Sequence, residues 1–398
     1  MSRHDDDRDE DRPRLHELTR IAHAGLDPFT HFGFVNPPAY RGSTVLYPSL
    51  KALRERKQPY TYGRRGTPTV RALEAAIQQL EGGHRTVLTS SGLAAINLAL
   101  LSFVEQGDHI LISDSVYQPT RLFANNMLAK LGVETSYYDP LIGSNIEKLL
   151  RPNTRLIFSE APGSQTFEMQ DIPAISAVAT ARNIWHIMDN TWASPLFFKP
   201  FCHGVDVSIQ AATKYIVGHS DAMLGAVSAN KRAESHLMRA VDVFGACPGS
   251  EETYLGLRGF RTIDVRLQRH WQSGVAMARW LEQRPEVAKV MHPALPSHPG
   301  HAIWKRDFTG ASGLFSIILK PCTQDALAAM LDGLSLFGMG YSWGGFESLV
   351  IPFDPSSYRT ATGWQTDGQA LRFHIGLEDV EDLQGDLDAG FKRLTQKS

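Results

Sequence analysis

A lysine, an aspartate and a small hydroxyl-rich turn stand where three segments of this 398-residue chain could do chemistry together. Lys214, in SIQAATKYIVGHSD, directly follows an apolar run and precedes a polar, Gly-containing turn. An amine placed there is partly desolvated, which disfavours the ammonium and lowers its pKa from ~10.4, the condition for an amine nucleophile that later serves as a base. Asp189 closes the apolar run of IWHIMDNTWASP, and a buried carboxylate needs a cationic partner. Lys214 follows it by 25 residues, enough for a crossover to a nearby strand so that both side chains face one pocket. In TSSGLAAINLALL, Ser90, Ser91 and Gly92 lead from strand into helix, where backbone N–H groups and the helix dipole form an anion seat. An amine for an imine, an acid to keep a pyridine nitrogen protonated and a phosphate seat are together the requirements of pyridoxal 5'-phosphate.

The elements that must position these residues follow from periodicity. Short β-branched runs alternate with amphipathic stretches: TVLTSS, then 92 to 104; HILISD, then 118 to 131; VETSYYD, then 144 to 150; RLIFSEAP, then 172 to 182; then WHIMDNTW, VDVSIQAATKY and MLGAVSA. This βα alternation predicts an α/β fold with a mostly parallel sheet, helices on both faces and ligands beyond the carboxyl ends of the strands. Upstream, 15 to about 85 is irregular and proline-rich, with one clear helix opened by Thr67 and Pro68 and closed by Gly82 and Gly83. From about 260 a long helix (266 to 283), strands at 287 to 291, 313 to 319, 347 to 351 and 370 to 375, and helices at 323 to 333 and 379 to 394 describe a smaller α+β domain. The expected division is a charged, disordered tail (1–14), an arm that could reach a neighbouring subunit (15–65), a large domain (66–260) and a small C-terminal domain (261–398).

Composition narrows the function. Hydrophobic residues are 42% and charged residues 21%, ordinary globular usage, and the formal charge of −2 gives no field for gathering nucleic acid or anionic membrane. Cys202, Cys247 and Cys322 are far apart and form no CxxC pair, which argues against zinc and a disulfide framework and for a reducing cytosol. The start is charged and has no apolar export segment, and the longest apolar stretch, 92 to 104, falls short of the ~20 residues of a membrane helix. There is no HExxH, no P-loop and no GxSxG, and GMGYSW at 338 to 343 fails GxGxxG because Trp343 replaces the third glycine.

From about residue 30 onward the chain resembles the pyridoxal phosphate enzymes of cysteine and methionine metabolism. The strings that carry the likeness are YTYGRRGTPT (60–69), EGG (81–83), SSGLAA (90–95), DHILISDSVYQPT (108–120), IMDNTWASP (187–195), SIQAATKYIVGHSDAM (208–223), GLRGFRT (256–262), the LSLFGMG text from 334 and LRFHIGLED (371–379). The resemblance implies the aspartate aminotransferase-type fold. It also implies roles: Lys214 holds the cofactor as a Schiff base, Asp189 pairs with its ring nitrogen, and Tyr117 stacks on the ring and assists proton movements. Gly92, Leu93 and Thr213 hold the phosphate within one subunit while Tyr62 and Arg64 reach it from the other, and Arg372 clasps the substrate carboxylate.

Two departures from the wider family, Ala211 ahead of Thr213–Lys214 and Ser164 in EAPGSQT, look like the branch acting at the β carbon, as does YSWGG at 341–345. Tyr341, Ser342 and Trp343 would then lie beside the distal part of the substrate, the indole narrowing the pocket. The implied reaction is β-elimination at a carbon–sulfur bond of a thioether amino acid such as cystathionine, in a cytoplasmic homo-oligomer, dimeric with shared sites or tetrameric. The alternatives are γ-elimination or γ-replacement on the same fold, and a non-catalytic cofactor-binding homo-oligomer.

Overall fold

The computed structural model describes residues 15–396; the expected charged tail at 1–14 lies outside the described residues. Seven strands form the larger sheet: β1 (Arg85–Thr89), β2 (His109–Ser113), β3 (Glu134–Tyr138), β4 (Thr154–Glu160), β5 (Trp185–Asp189), β6 (Val207–Gln210) and β7 (Gly225–Ala229). Their order is β1-β7-β6-β5-β4-β2-β3. Most are buried on both faces, so their sequences read as continuous apolar runs. Side chains alternate between two cores: Val87, Ile110, Phe158, Ile187 and Val227 on one face, Leu88, Met188 and Ala226 on the other.

β3, β2, β4, β5 and β6 are mutually parallel, as expected, but β7 runs antiparallel to both β1 and β6. Parallel neighbours need a crossover long enough to return the chain. The link from β6 to β7 contains no helix and carries Lys214, so the chain turns back on itself.

The helix Pro68–Glu81 begins and ends at the expected residues: the Thr67 side chain accepts the Val70 N–H, and Gly82 takes the left-handed φ of +72°. That cap contributes about 1 kcal/mol. The face bearing Leu73, Ile77 and Leu80 is buried, at roughly 1.5–3 kcal/mol per large side chain, so packing outweighs capping. The expected helix at 118 to 131 is instead a short α-helix (Gln118–Phe123), a π turn (Ala124–Leu128) and a 3-10 turn (Ala129–Leu131). Within it Asn126 Nδ2 donates to Leu122 O, a side-chain competitor for helical carbonyls. Residues 144 to 150 form 3-10 rather than α-helix, and the helices Glu234–Phe244, Ser250–Phe260 and His301–Asp307 are additional to those predicted.

A second, antiparallel sheet has the order β10-β11-β9-β8, from β8 (Val287–Met291), β9 (Leu314–Leu319), β10 (Leu349–Phe353) and β11 (Ala370–His374). It packs against the long helix Ile263–Glu282 and the C-terminal helix Val380–Gln396 through Met277, Leu281, Phe315, Phe373, Leu387 and Phe391. Among the described residues no helix is long and apolar enough to cross a membrane.

Candidate active site

The carboxyl ends of β4, β5 and β6 lie side by side, and Glu160 and Asp189 leave them as direct register partners. Asp189 is 7% exposed. Its Oδ1 accepts both the Thr191 N–H at 3.0 Å and the Thr191 hydroxyl at 2.5 Å, and Oδ2 has no donor among the described residues. Burial pushes its carboxyl above the usual range, against the Thr191 bonds and the charge of Lys214. An acid so placed is completed by a cation at Oδ2. Glu160, which the sequence reading missed, is pushed up further, by burial and then by Asp189. The RLIFSEAP string held the signal, an acid at the carboxyl end of an apolar strand like Asp189 itself.

Thr191 Oγ1 also accepts the Ala211 N–H at 2.9 Å, tying β5 to the segment that bears Lys214. Lys214 Nζ donates to Ser342 Oγ at 2.5 Å and lies 5.2 Å from the centre of the Trp343 ring. Burial, helped by the positive charge of Arg372 and opposed by Asp189, brings the amine down to about 8. The Gly92 turn touches the same segment, since a Cβ on Gly92 would stand 2.5 Å from Ala211 Cβ. Ser91 caps the ten-residue helix Gly92–Leu101 by accepting the Ala94 N–H, while the N–H groups of Gly92 and Leu93 take no protein acceptor. These groups form an anion seat. Thr213 borders it with its hydroxyl engaged by Leu224, accepting that residue's N–H and donating to its carbonyl.

The second sheet closes the other side. Arg372, on β11, is 9% exposed, pairs with no carboxylate among the described residues and has an unpartnered buried Nε. Its Nη2 donates to Ser342 O at 3.0 Å, and burial brings the guanidinium down to about 10. A buried guanidinium lacking an acid is a carboxylate seat. Ser342 thus joins the two cations, one through its hydroxyl and one through its carbonyl, with backbone at the left-handed φ of +82°. Tyr341 beside it is 88% exposed.

Tyr117 comes from the turn after β2, where its N–H donates to Glu160 Oε2 at 2.7 Å. Its phenol is raised by burial, then Glu160 and Asp189, and lowered by Arg372, so it feels both sheets. The buried Asp114–Arg121 pair holds this turn, and Asp114 also accepts the Thr360, Ala361 and Thr362 N–H groups from the link between β10 and β11.

Tyr62 and Arg64 are not gathered with these residues. Tyr62 forms an isolated bridge with Thr44, and Arg64 donates to Asp242 O at 3.4 Å, on the exposed surface of the arm. Of the remaining site residues of the sequence reading, Lys214, Asp189, Tyr117, Gly92, Ser342, Trp343 and Arg372 are joined by the contacts above, Leu93 and Thr213 adjoin them in the chain, and Tyr341 is exposed beside Ser342.

Residues 18–392 match the family described as Cys/Met metabolism PLP-dependent enzyme. The chain is 54% identical over 377 residues to a putative cystathionine beta-lyase of Rhizobium johnstonii, covering 94% of this chain and 95% of that one. It is 45% identical over 389 residues to the cystathionine beta-lyase MetC of Escherichia coli, covering 94% and 98%. The crystal structure of metB from Corynebacterium glutamicum superposes with a TM-score of 0.88 at 29% identity, covering 96% and 98%.

Proposed function

Because the chain belongs to the Cys/Met-metabolism PLP-dependent enzymes, we propose that it is a carbon–sulfur β-lyase that cleaves L-cystathionine to homocysteine, pyruvate and ammonia, with cystine and S-conjugates of cysteine as further substrates. The observation that carries this reading is the meeting of a depressed lysine and an acid-free arginine on Ser342, which sets a base beside a seat for an amino-acid carboxylate. The names of the relatives at 54% and 45% identity support the choice of cystathionine and of the β carbon.

The residues present fit pyridoxal phosphate. Lys214 would hold its aldehyde end, Asp189 would offer Oδ2 to the ring nitrogen, and the Gly92 and Leu93 N–H groups would seat the phosphate, with the Thr213 segment beside them. When bound, the cofactor supplies an electron sink conjugated to the substrate Cα. Lys214, in which burial raises the share of free amine above that of an ordinary lysine, would remove the Cα proton. Asp189 would keep the ring nitrogen protonated, and Tyr117 would assist proton transfer toward the departing sulfur. Arg372 grips the α-carboxylate, while Tyr341 and Trp343 bound the space for the thioether tail. Tyr62 and Arg64, on the exposed arm, complete the phosphate seat of a partner subunit, and exposed Phe29, Phe32, Phe34 and Leu46 fit burial of that arm against a second copy. On this reading the protein is a homo-oligomer, a dimer with shared sites or a tetramer built from such dimers, and works in the cytoplasm, the reducing surroundings that its three free cysteines suit. Residues 66–260 form the cofactor domain and 261–398 the small domain.

Product identification on cystathionine tests the assignment. Pyruvate and ammonia are expected; predominant 2-oxobutyrate would move the reaction to the γ carbon, and a bound-cofactor spectrum without ammonia release would remove the enzyme reading.

A further inference from the structure

Behind the segment that touches Lys214 lies a pair of buried histidines that the proposed chemistry does not use. His374, two residues after Arg372 on β11, is fully buried, and its ring centre is 5.2 Å from that of His270 on the long helix. His270 Nδ1 faces Ile375 O at 2.8 Å; a carbonyl only accepts, so Nδ1 carries the proton and Nε2 is a lone pair. That Nε2 is buried and unpartnered, and so is His374 Nδ1.

His374 Nε2 faces two groups at once, the Gly344 N–H at 3.1 Å and Gly345 O at 3.1 Å. One nitrogen cannot accept from the first and donate to the second. A proton on Nε2 would set it against the Gly344 N–H and leave two bare lone pairs on the neighbouring rings. A proton on Nδ1 lets Nε2 accept the Gly344 N–H and leaves Gly345 O without this donor, and a buried carbonyl goes without a partner more readily than a buried backbone N–H; the two rings themselves share no hydrogen bond. The doubly protonated ring is disfavoured, because burial and the nearby His270, Arg372 and Lys214 hold His374 well below the usual histidine range.

What this anchors is the wall over Lys214. Gly344 takes φ of +89°, and a Cβ there would stand 3.0 Å from the Lys214 backbone and Cβ, so the segment presses on the lysine. We propose that His374 is a positioning residue of the site: protonated on Nδ1, it accepts the Gly344 N–H through Nε2 and so holds Ser342 and Trp343 against Lys214. The inference rests on the reading of Lys214 as the cofactor-bearing amine and adds a residue that touches neither cofactor nor substrate.

The test uses the full-length chain and the variants His374→Phe, His374→Gln and His270→Phe. Before cofactor is added, the pH dependence of Lys214 labelling by an amine reagent, read by peptide mapping, gives its titration midpoint. Facing Lys214 are Arg372, which lowers it, and Asp189, which raises it. In His374→Phe the freed segment admits water and relaxes the hold on Arg372, so the midpoint rises from about 8 toward the ordinary ~10.4. With cofactor, kcat/KM falls about tenfold, the scale of one lost buried hydrogen bond. His374→Gln, which can still accept from Gly344, recovers part of both, and His270→Phe, which leaves the His374–Gly344 bond in place, shifts neither. Borohydride still labels Lys214 in every variant; a label elsewhere overturns the lysine assignment, whereas a label at Lys214 with an unmoved midpoint and kcat/KM within twofold of wild type overturns the His374 proposal alone. Neutron diffraction from the wild type needs no variant to fold: a proton on His374 Nδ1 supports the proposal and one on Nε2 overturns it.

Discussion

The two halves of the candidate site hold their side chains by different means. On the parallel sheet, Asp189 leaves a strand buried on both faces and is pinned by a residue two positions away. On the antiparallel sheet, the strand supplies Arg372, but the groups that meet Lys214 belong to the loop 341–345, held through Arg372 and His374 rather than by strand pairing. On the proposed function the first half would carry the chemistry common to any amino-acid substrate, where a displaced charge is costly. The second borders the variable tail, where a loop can be reshaped without disturbing a sheet. Substitutions on the parallel sheet should therefore abolish reaction, and those on the loop should change which substrate reacts and how well.

The sharpest case is Lys214→Ala, expected to lose turnover and borohydride-reducible cofactor attachment altogether. Mixed with Arg64→Ala subunits it should recover activity, because each mixed dimer rebuilds one intact site; inactivity despite confirmed exchange would confine the arm to its own chain. Asp189→Asn comes next. It should lose most of the rate while binding cofactor moderately less well, a charge-assisted contact being worth roughly 1.5–3 kcal/mol, and steady-state kinetics beside a cofactor titration separate the two. A rate within a few fold of wild type would end the comparison, since the parallel half would then tolerate what the loop half does.

Arg372→Leu crosses the boundary between the halves. Removing one partner of a desolvated charge pair costs roughly 2–5 kcal/mol, ~30-fold or more in kcat/KM, with cofactor affinity little changed and Arg372→Lys restoring only part. Trp343→Leu, on the loop, should lower the efficiency of pyruvate release from cystathionine by lost positioning without making 2-oxobutyrate the main product.

The smallest effect concerns stability without cofactor. The folded amine titrates near 8, below an ordinary lysine, so between those values the unfolded chain binds more protons and stability rises with pH. Lys214→Ala should therefore be relatively more stable at pH 7 than at pH 10.5 when urea midpoints are compared with wild type.

Much of this was legible in the chain itself. Strand and helix periods, the Thr67 and Gly82 caps and the placement of Lys214 and Asp189 after apolar runs are local properties, expressed over a few residues by burial and backbone geometry. Arg372 was legible too, as a charge among apolar positions. Tertiary structure decided the reversal of β7, the register that sets Glu160 beside Asp189, and the contact of Lys214 with Ser342, 128 residues away. It also decided that His374 meets the loop at Gly344 and Gly345, 30 and 29 residues earlier in the chain, because a histidine's hydrogen-bond role is set by the groups that packing brings to its ring nitrogens. Local patterns place each residue on its element; which elements meet, and which polar atoms are left for one another, depends on the packing of the two sheets.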